Sequence, residues 1–98
     1  MKIYKGTIKE FRGTWSSGIA TLLIEDDKGV IKKIPCDNGP TVIALEACFG
    51  ETIGESNGGY IGKQIYYSIA DWGVLEGFIP VDDASEKVIE AYEKQEEL

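Results

Sequence analysis

The 98-residue chain contains no histidine, and this absence limits its chemistry more than any other feature of its composition. Histidine titrates near neutral pH, is the commonest metal ligand and often activates a catalytic nucleophile. No intact catalytic or metal-binding motif stands in its place. The sequence therefore predicts a protein that is not an enzyme and that needs no metal or cofactor, with an enzyme retained as a third possibility.

Long apolar runs and cysteines are also scarce. No stretch approaches the ~20 apolar residues that span a bilayer, and Met1-Lys2 leads directly into a strand pattern rather than a signal peptide. The two cysteines, Cys36 and Cys48, are twelve residues apart, with no histidine to complete a zinc site. We expect free, structural thiols, a cytoplasmic location and no membrane partner.

Acidic residues exceed basic ones, and the net charge of −7 is unevenly distributed. Residues 82–98 contain seven acids against two lysines, a net charge of −5. Residues 1–33 contain seven basic residues against four acids, a net charge of +3. The overall sign disfavours a nucleic-acid partner, but the basic N-terminal part leaves a local positive face possible.

Five strand patterns and two helix patterns follow one another along the chain. The strands are predicted at residues 2–11, 19–24, 30–36, 64–70 and 74–81. Gly6, inside the first of them, indicates a bend or a close approach of another backbone.

The first helix is predicted over residues 40–49, between the third and fourth strands. Pro40 suits the first helical position, Asn38 or Gly39 can cap it, and Gly50 can end it. Its residues are apolar nearly all the way round, with a single charge. A helix of this kind is typical of a protein core, so we expect it to be buried.

The second helix is predicted within the acidic segment 82–98. Asp83 and Glu86 have the spacing of a capping box. One apolar stripe should pack on the sheet, and it consists of Val88, Ile89 and Tyr92. The alternative is that this stripe stays exposed and recruits a partner or a second copy of the chain.

The order of three strands, a helix and two strands is that of the five-stranded OB barrel. In addition, Gly6–Phe11 (G-T-I-K-E-F) resembles the G-T-V-K-W-F opening of cold-shock domains, which are themselves OB barrels. We expect one mainly β (α+β) domain over residues 1–98. Its parts would be an OB-like antiparallel barrel over 1–81, with the buried helix inside it, and the C-terminal amphipathic helix. An SH3-like or other small barrel with an inserted helix is the alternative.

Two tryptophans are the leading binding-site candidates. Trp15 lies between the first and second strands and Trp72 between the fourth and fifth, and in OB folds these two loops flank the ligand groove. Each indole could be a stacking platform, helped by the basic residues Arg12, Lys32 and Lys33. The alternative is that each indole covers an end of the barrel as part of the core.

These features favour a non-enzymatic binding or adaptor module that contacts another macromolecule. A protein partner or self-association is the first hypothesis, through the loop tryptophans or the acidic C-terminal helix. The alternative is an OB-like domain that binds single-stranded nucleic acid.

Overall fold

The computed structural model of the protein describes residues 2–13, 18–50 and 59–96, which form a five-stranded, mainly antiparallel sheet with two α-helices. In chain order the elements are β1 (Tyr4–Arg12), β2 (Ile19–Glu25), β3 (Ile31–Asp37), α1 (Asn38–Phe49), β4 (Gln64–Ile69), β5 (Leu75–Pro80), a 3₁₀ turn (Val81–Asp83) and α2 (Glu86–Glu96). The predicted order of strands and helices is confirmed.

The strands lie in the order β3-β2-β1-β4-β5, and every neighbouring pair is antiparallel. β1 occupies the centre because its two halves have different partners. Its first residues, from Tyr4, pair with β4, and its last residues, to Arg12, pair with β2. The edge strands β3 and β5 approach to within 8 Å between Cα atoms without pairing. The sheet therefore coils but is not closed by hydrogen bonds.

Gly6 lies where β1 passes from one partner strand to the other. A Cβ atom at this position would collide with the side chain of Ile24 and the carbonyl oxygen of Glu25, both on β2. The predicted close approach is confirmed. A register shift between Ile8 and Glu10 adds a bulge that bends β1 further.

The core lies on the concave face of the sheet. Alternate strand residues point into it, as the period of two requires. Its buried members are Ile8, Ala20, Leu22, Ile24, Ile34, Cys36, Leu45, Tyr60, Ile65 and Tyr67. Each fully buried aliphatic side chain contributes ~1.5–3 kcal/mol before conformational entropy is counted, so this cluster holds the strands together.

Pro35 lies inside β3, where proline normally breaks a sheet. The amide of Asn38 donates to the carbonyl of Gly18 at 2.9 Å, and bonded pairs alternate with non-bonded pairs along an antiparallel ladder. The pair of Thr21 with Pro35 is therefore a non-bonded one. The proline nitrogen faces the open edge, so no hydrogen bond to β2 is lost and the edge is blunted.

The start of α1 differs from the prediction. The helix begins at Asn38, two residues before Pro40, and the preceding Asp37 makes no side-chain cap. Proline is tolerated at the third helical position because the first four amides of a helix have no intrahelical acceptor. Gly50 ends the helix as predicted, with φ of 100° and its amide bonded to the carbonyl of Glu46 at 2.8 Å.

The prediction that α1 is buried on all sides is wrong. Only Thr41 and Leu45 are buried, whereas Ile43 is 68% exposed and Ala47 and Cys48 also face solvent. Among the described strands the helix packs against β2 and β3, and the apolar composition of its exposed side misled the sequence analysis.

The N-terminus of α2 also differs from the prediction. Ser85 precedes the helix, and its hydroxyl oxygen accepts a long hydrogen bond of 3.4 Å from the amide of Val88. Asp83 lies in the 3₁₀ turn, and Ala84 after it has extended backbone, with φ of −68° and ψ of 135°. The capping box of Asp83 with Glu86 is therefore wrong, because this extended residue breaks the continuity that it needs.

The packing of α2 confirms the predicted stripe. Val88, Ile89 and Tyr92 are partly buried, and the residues on the opposite face are exposed. The ring of Tyr92 lies 5.3 Å from that of Tyr66 on β4. The amide of Gln95 adds two hydrogen bonds to the backbone of Ile3, one of 2.8 Å to its N–H and one of 2.7 Å to its carbonyl. The helix is thus part of the fold and ties the two ends of the chain together.

Candidate interaction surface

Trp72 lies at the tip of the turn between β4 and β5, and its side chain is 79% exposed. The turn is held by two backbone hydrogen bonds, from Ala70 to Val74 at 2.9 Å and from Gly73 to Ala70 at 2.8 Å. Gly73 has a φ of 89°, which a glycine adopts without strain. The alternative that Trp72 covers an end of the barrel is wrong, because the tight turn points the indole into solvent.

The charged residues near Trp72 in the chain are acidic. Asp71 and Glu76 beside it are exposed, and no lysine or arginine occurs between residues 63 and 87. An indole in this setting suits a neutral or basic partner better than a phosphate backbone, which needs nearby cations.

Arg12 and Lys33 lie on the outer face of the sheet. Arg12 pairs with Thr21 of β2, and Lys33 pairs with Leu23, which lies two residues further along β2 and on the same side. Directly paired residues point to the same side, so the two cations share a surface. The Nε of Arg12 lies 3.0 Å from a carboxylate oxygen of Glu10, which offsets part of its charge.

Lys32 does not join this surface. It precedes Lys33 by one residue along β3, so it points to the opposite side of the sheet. Its Nζ lies 4.9 Å from the ring centroid of Tyr4. The structure therefore brings together two of the three predicted basic residues, and Trp15 lies outside the described residues.

Trp72 and Arg12 lie at opposite ends of β1. The turn that carries Trp72 comes shortly after Tyr67, which pairs with Tyr4 at the start of β1. β1 has nine residues, so at ~3.3 Å per residue its ends are about 26 Å apart. A ligand that contacted both side chains would have to extend along the whole strand.

The start of β1 carries a cluster that the sequence analysis missed. The rings of Tyr4 and Tyr67 stack with centroids 5.3 Å apart, and the Nζ atoms of Lys2 and Lys32 both lie about 5 Å from the centroid of Tyr4. Lys2 and Tyr4 are two residues apart, so the sequence predicts that they lie on one side of the strand. The other two members come from different strands, and only the register shows that they meet.

The cysteines and possible metal ligands offer no comparable site. Cys36 is buried and Cys48 is exposed, and both are free thiols, as predicted. Burial raises the pKa of the Cys36 thiol despite a hydrogen bond with Thr41 that lowers it, so this thiol stays protonated and unreactive. Within the described ranges no three metal-ligating side chains come together.

No protein-family model, curated protein or solved structure matches the chain. In the part of the chain that the structure describes, neither helix has the length and apolar character needed to cross a membrane.

Proposed function

We propose that the protein is a non-enzymatic binding module that contacts a protein partner through Trp72. The observation that carries the proposal is an indole that is 79% exposed on a turn fixed by two hydrogen bonds. Tryptophan is enriched at the energetic centres of protein interfaces, where its burial supplies a large share of the affinity. A rigid turn reduces the conformational entropy that is lost when such a residue is bound.

An OB-like, partly open barrel is the fold that we propose as the frame of this module. The strand order β3-β2-β1-β4-β5 supports it, together with the helix between β3 and β4 and the close approach of β3 to β5. The five strands of an OB fold form a barrel that is only partly closed.

The acidic helix α2 is the less favoured contact. Its apolar stripe packs against the sheet, and the ring of Tyr92 contacts that of Tyr66. Its acidic side chains Glu86, Glu90 and Glu93 remain exposed. They can assist a basic partner, but exposed ion pairs contribute only ~0–1 kcal/mol each. Trp72 is therefore the better anchor.

The test compares Trp72→Ala with Ile43→Ala, which removes another exposed apolar side chain from a different surface. Each protein is immobilised, and the binding of proteins from the native cell extract is measured quantitatively. We expect Trp72→Ala to change stability by under ~0.5 kcal/mol and to weaken partner binding by about 2 kcal/mol, or about thirtyfold. Equal binding by all three proteins, or equal loss in both variants, would contradict the proposal.

Self-association is the second form of the same hypothesis. Sedimentation of the wild-type protein over a range of concentrations measures it directly. If Trp72→Ala abolishes a concentration-dependent dimer and Ile43→Ala does not, the protein partner is a second copy of the chain.

Single-stranded nucleic-acid binding is the alternative function. Arg12 and Lys33 on one outer face favour it, and the acidic residues near Trp72 in the chain oppose it. Oligonucleotides should be titrated at low salt while tryptophan fluorescence is recorded, with Lys33→Gln compared against Lys63→Gln. Binding through this face predicts an affinity that falls steeply with salt and that drops in Lys33→Gln. Absence of binding in the wild-type protein, measured by the anisotropy of a labelled oligonucleotide because Trp72 is far from Arg12, would remove this alternative.

A further inference from the structure

The surface where β1 begins concentrates lysine in an otherwise acidic protein. Four of the ten basic residues of the chain line one groove there, together with two carboxylates. The lysines are Lys2, Lys5, Lys28 and Lys32, and the carboxylates are Asp26 and Asp27. The groove therefore has a net charge of +2 in a chain whose net charge is −7.

Aromatic rings, rather than carboxylates, position most of these ammonium groups. Lys5 lies 5.6 Å from the ring centroid of Tyr66, and two other lysines lie near Tyr4. Among the described residues, none of the four lysines is within 4.0 Å of a carboxylate oxygen. A ring attracts an ammonium through its quadrupole but carries no net negative charge to neutralise it.

Lys2 and Lys32 share the ring of Tyr4. Their Nζ atoms lie 5.2 and 4.9 Å from its centroid, so they are at most about twice that distance apart. The ring is held by Tyr67, which is buried and stacked on it at an interplanar angle of 20°. The two like charges therefore lie within about 10 Å of each other, and an anion between them would relieve their repulsion.

One carboxylate of the groove is already engaged in the hairpin between β2 and β3. Asp26 Oδ1 accepts hydrogen bonds of 2.9 Å from the amides of both Lys28 and Val30. It lines the groove and attracts Lys32 and Lys28 through their charge, but it forms no ion pair within 4.0 Å with them, so their ammonium groups can still donate to an external anion.

We propose that Lys2 and Lys32 bind a phosphate group over the ring of Tyr4, with Lys5 and Lys28 at the rim of the groove. Lysine binds phosphate as a point charge with three donors. The groove encloses about 240 Å³, less than the ~300–1,000 Å³ typical of sites for drug-sized ligands. Asp26 and Asp27 add negative charge that opposes a polyanion. Size and charge together select one phosphate, free or on a small molecule.

Titration with inorganic phosphate, followed by amide chemical shifts, tests this site. Sodium chloride at matched ionic strength separates specific binding from screening. We expect saturable shifts around Tyr4 and Lys32 in the wild-type protein. Lys2→Gln and Lys32→Gln should each weaken binding by about tenfold, which corresponds to loss of one ammonium contact at a partly exposed site. Lys63→Gln removes the same charge elsewhere and should leave the affinity unchanged.

The contribution of the Tyr4 ring to phosphate binding is tested with two further variants. Tyr4→Phe keeps the aromatic face and should preserve binding, whereas Tyr4→Leu should weaken it because Lys2 and Lys32 lose their common support. A circular-dichroism melt verifies that each variant is folded. Shifts that sodium chloride reproduces, or equal weakening in Lys63→Gln, would overturn the proposal. Tighter binding of an oligonucleotide than of phosphate at the same residues would overturn the choice of a single phosphate.

Discussion

Gly6 is the residue whose lack of a side chain matters most to the sheet. A methyl group there would collide with Ile24 and with the backbone of Glu25. We expect Gly6→Ala to destabilise the protein by about 1–3 kcal/mol, as overpacking does, measured by urea unfolding. Gly77→Ala on β5 is the matched control, since nothing lies within 4 Å of its added methyl group. Equal stability of the two variants would contradict the close approach of β1 to β2 at Gly6.

Asp26 makes a pH-dependent contribution to the stability of the hairpin between β2 and β3. The amides of Val30 and Lys28 hold the pKa of its carboxyl below the ordinary value of 3.8. A lowered folded-state pKa means that the ionised form stabilises the fold above pH 3.8, and that this contribution is lost as the pH falls through the folded value. The stability difference between the wild-type protein and Asp26→Asn should therefore shrink on acidification. Asp27→Asn is the control, and a difference independent of pH would contradict this account.

Gln95 is the residue through which α2 closes the fold at its C-terminal end. Gln95→Ala removes two hydrogen bonds to Ile3, and at ~1 kcal/mol each we expect a loss of about 1–2 kcal/mol in unfolding free energy. Lys94→Ala, on the exposed face of the same helix, should change stability by less than ~0.5 kcal/mol. Equal effects would mean that the helix end is frayed in solution.

Removal of α2 as a whole tests its structural role. Ending the chain at Asp82 would expose Tyr66, which is 5% exposed in the intact protein. We expect a markedly lower melting temperature in dilute solution, measured by circular dichroism. An unchanged melting temperature with a loss of association would instead make the acidic helix an interaction arm.

The elements divide clearly into those that the sequence could predict and those that it could not. Strand patterns and the helix stop at Gly50 are local, so they were predicted within a few residues. The burial of α1 depends on tertiary contacts. The start of α2 depends on a local contact between Ser85 and the amide of Val88, which the sequence analysis assigned to Asp83 and Glu86 instead.

The strand period of two is enough to predict that Lys32 and Lys33 point to opposite sides of the sheet. The contact of Lys32 with Tyr4 needed the register of three strands.

At the scale of the whole molecule, the two proposed contacts lie toward one end of the sheet. The turn with Trp72 and the groove at Lys2 and Lys32 are both near the start of β1. The start of α1 lies at the other end, where Asn38 approaches Gly13 just after β1. A partner bound at Trp72 and a phosphate bound at the lysines would therefore occupy neighbouring surfaces, whereas the start of α1 would remain distant from both.

The open edge of β3 yields a prediction about the closure of the sheet. Gly18 and Asn38 form a hydrogen-bonded pair, and bonded pairs alternate with non-bonded pairs along β2 and β3. The amides of Ile34 and Cys36 therefore donate to β2. The amide of Lys33 instead faces β5, with which β3 is not paired. In hydrogen exchange we expect slow exchange of Ile34 and Cys36, limited by large-scale unfolding, and fast exchange of Lys33. Slow exchange of Lys33 would mean that β3 and β5 are bonded in solution and that the barrel is closed. Fast exchange would leave an edge that Pro35 protects against pairing with another chain.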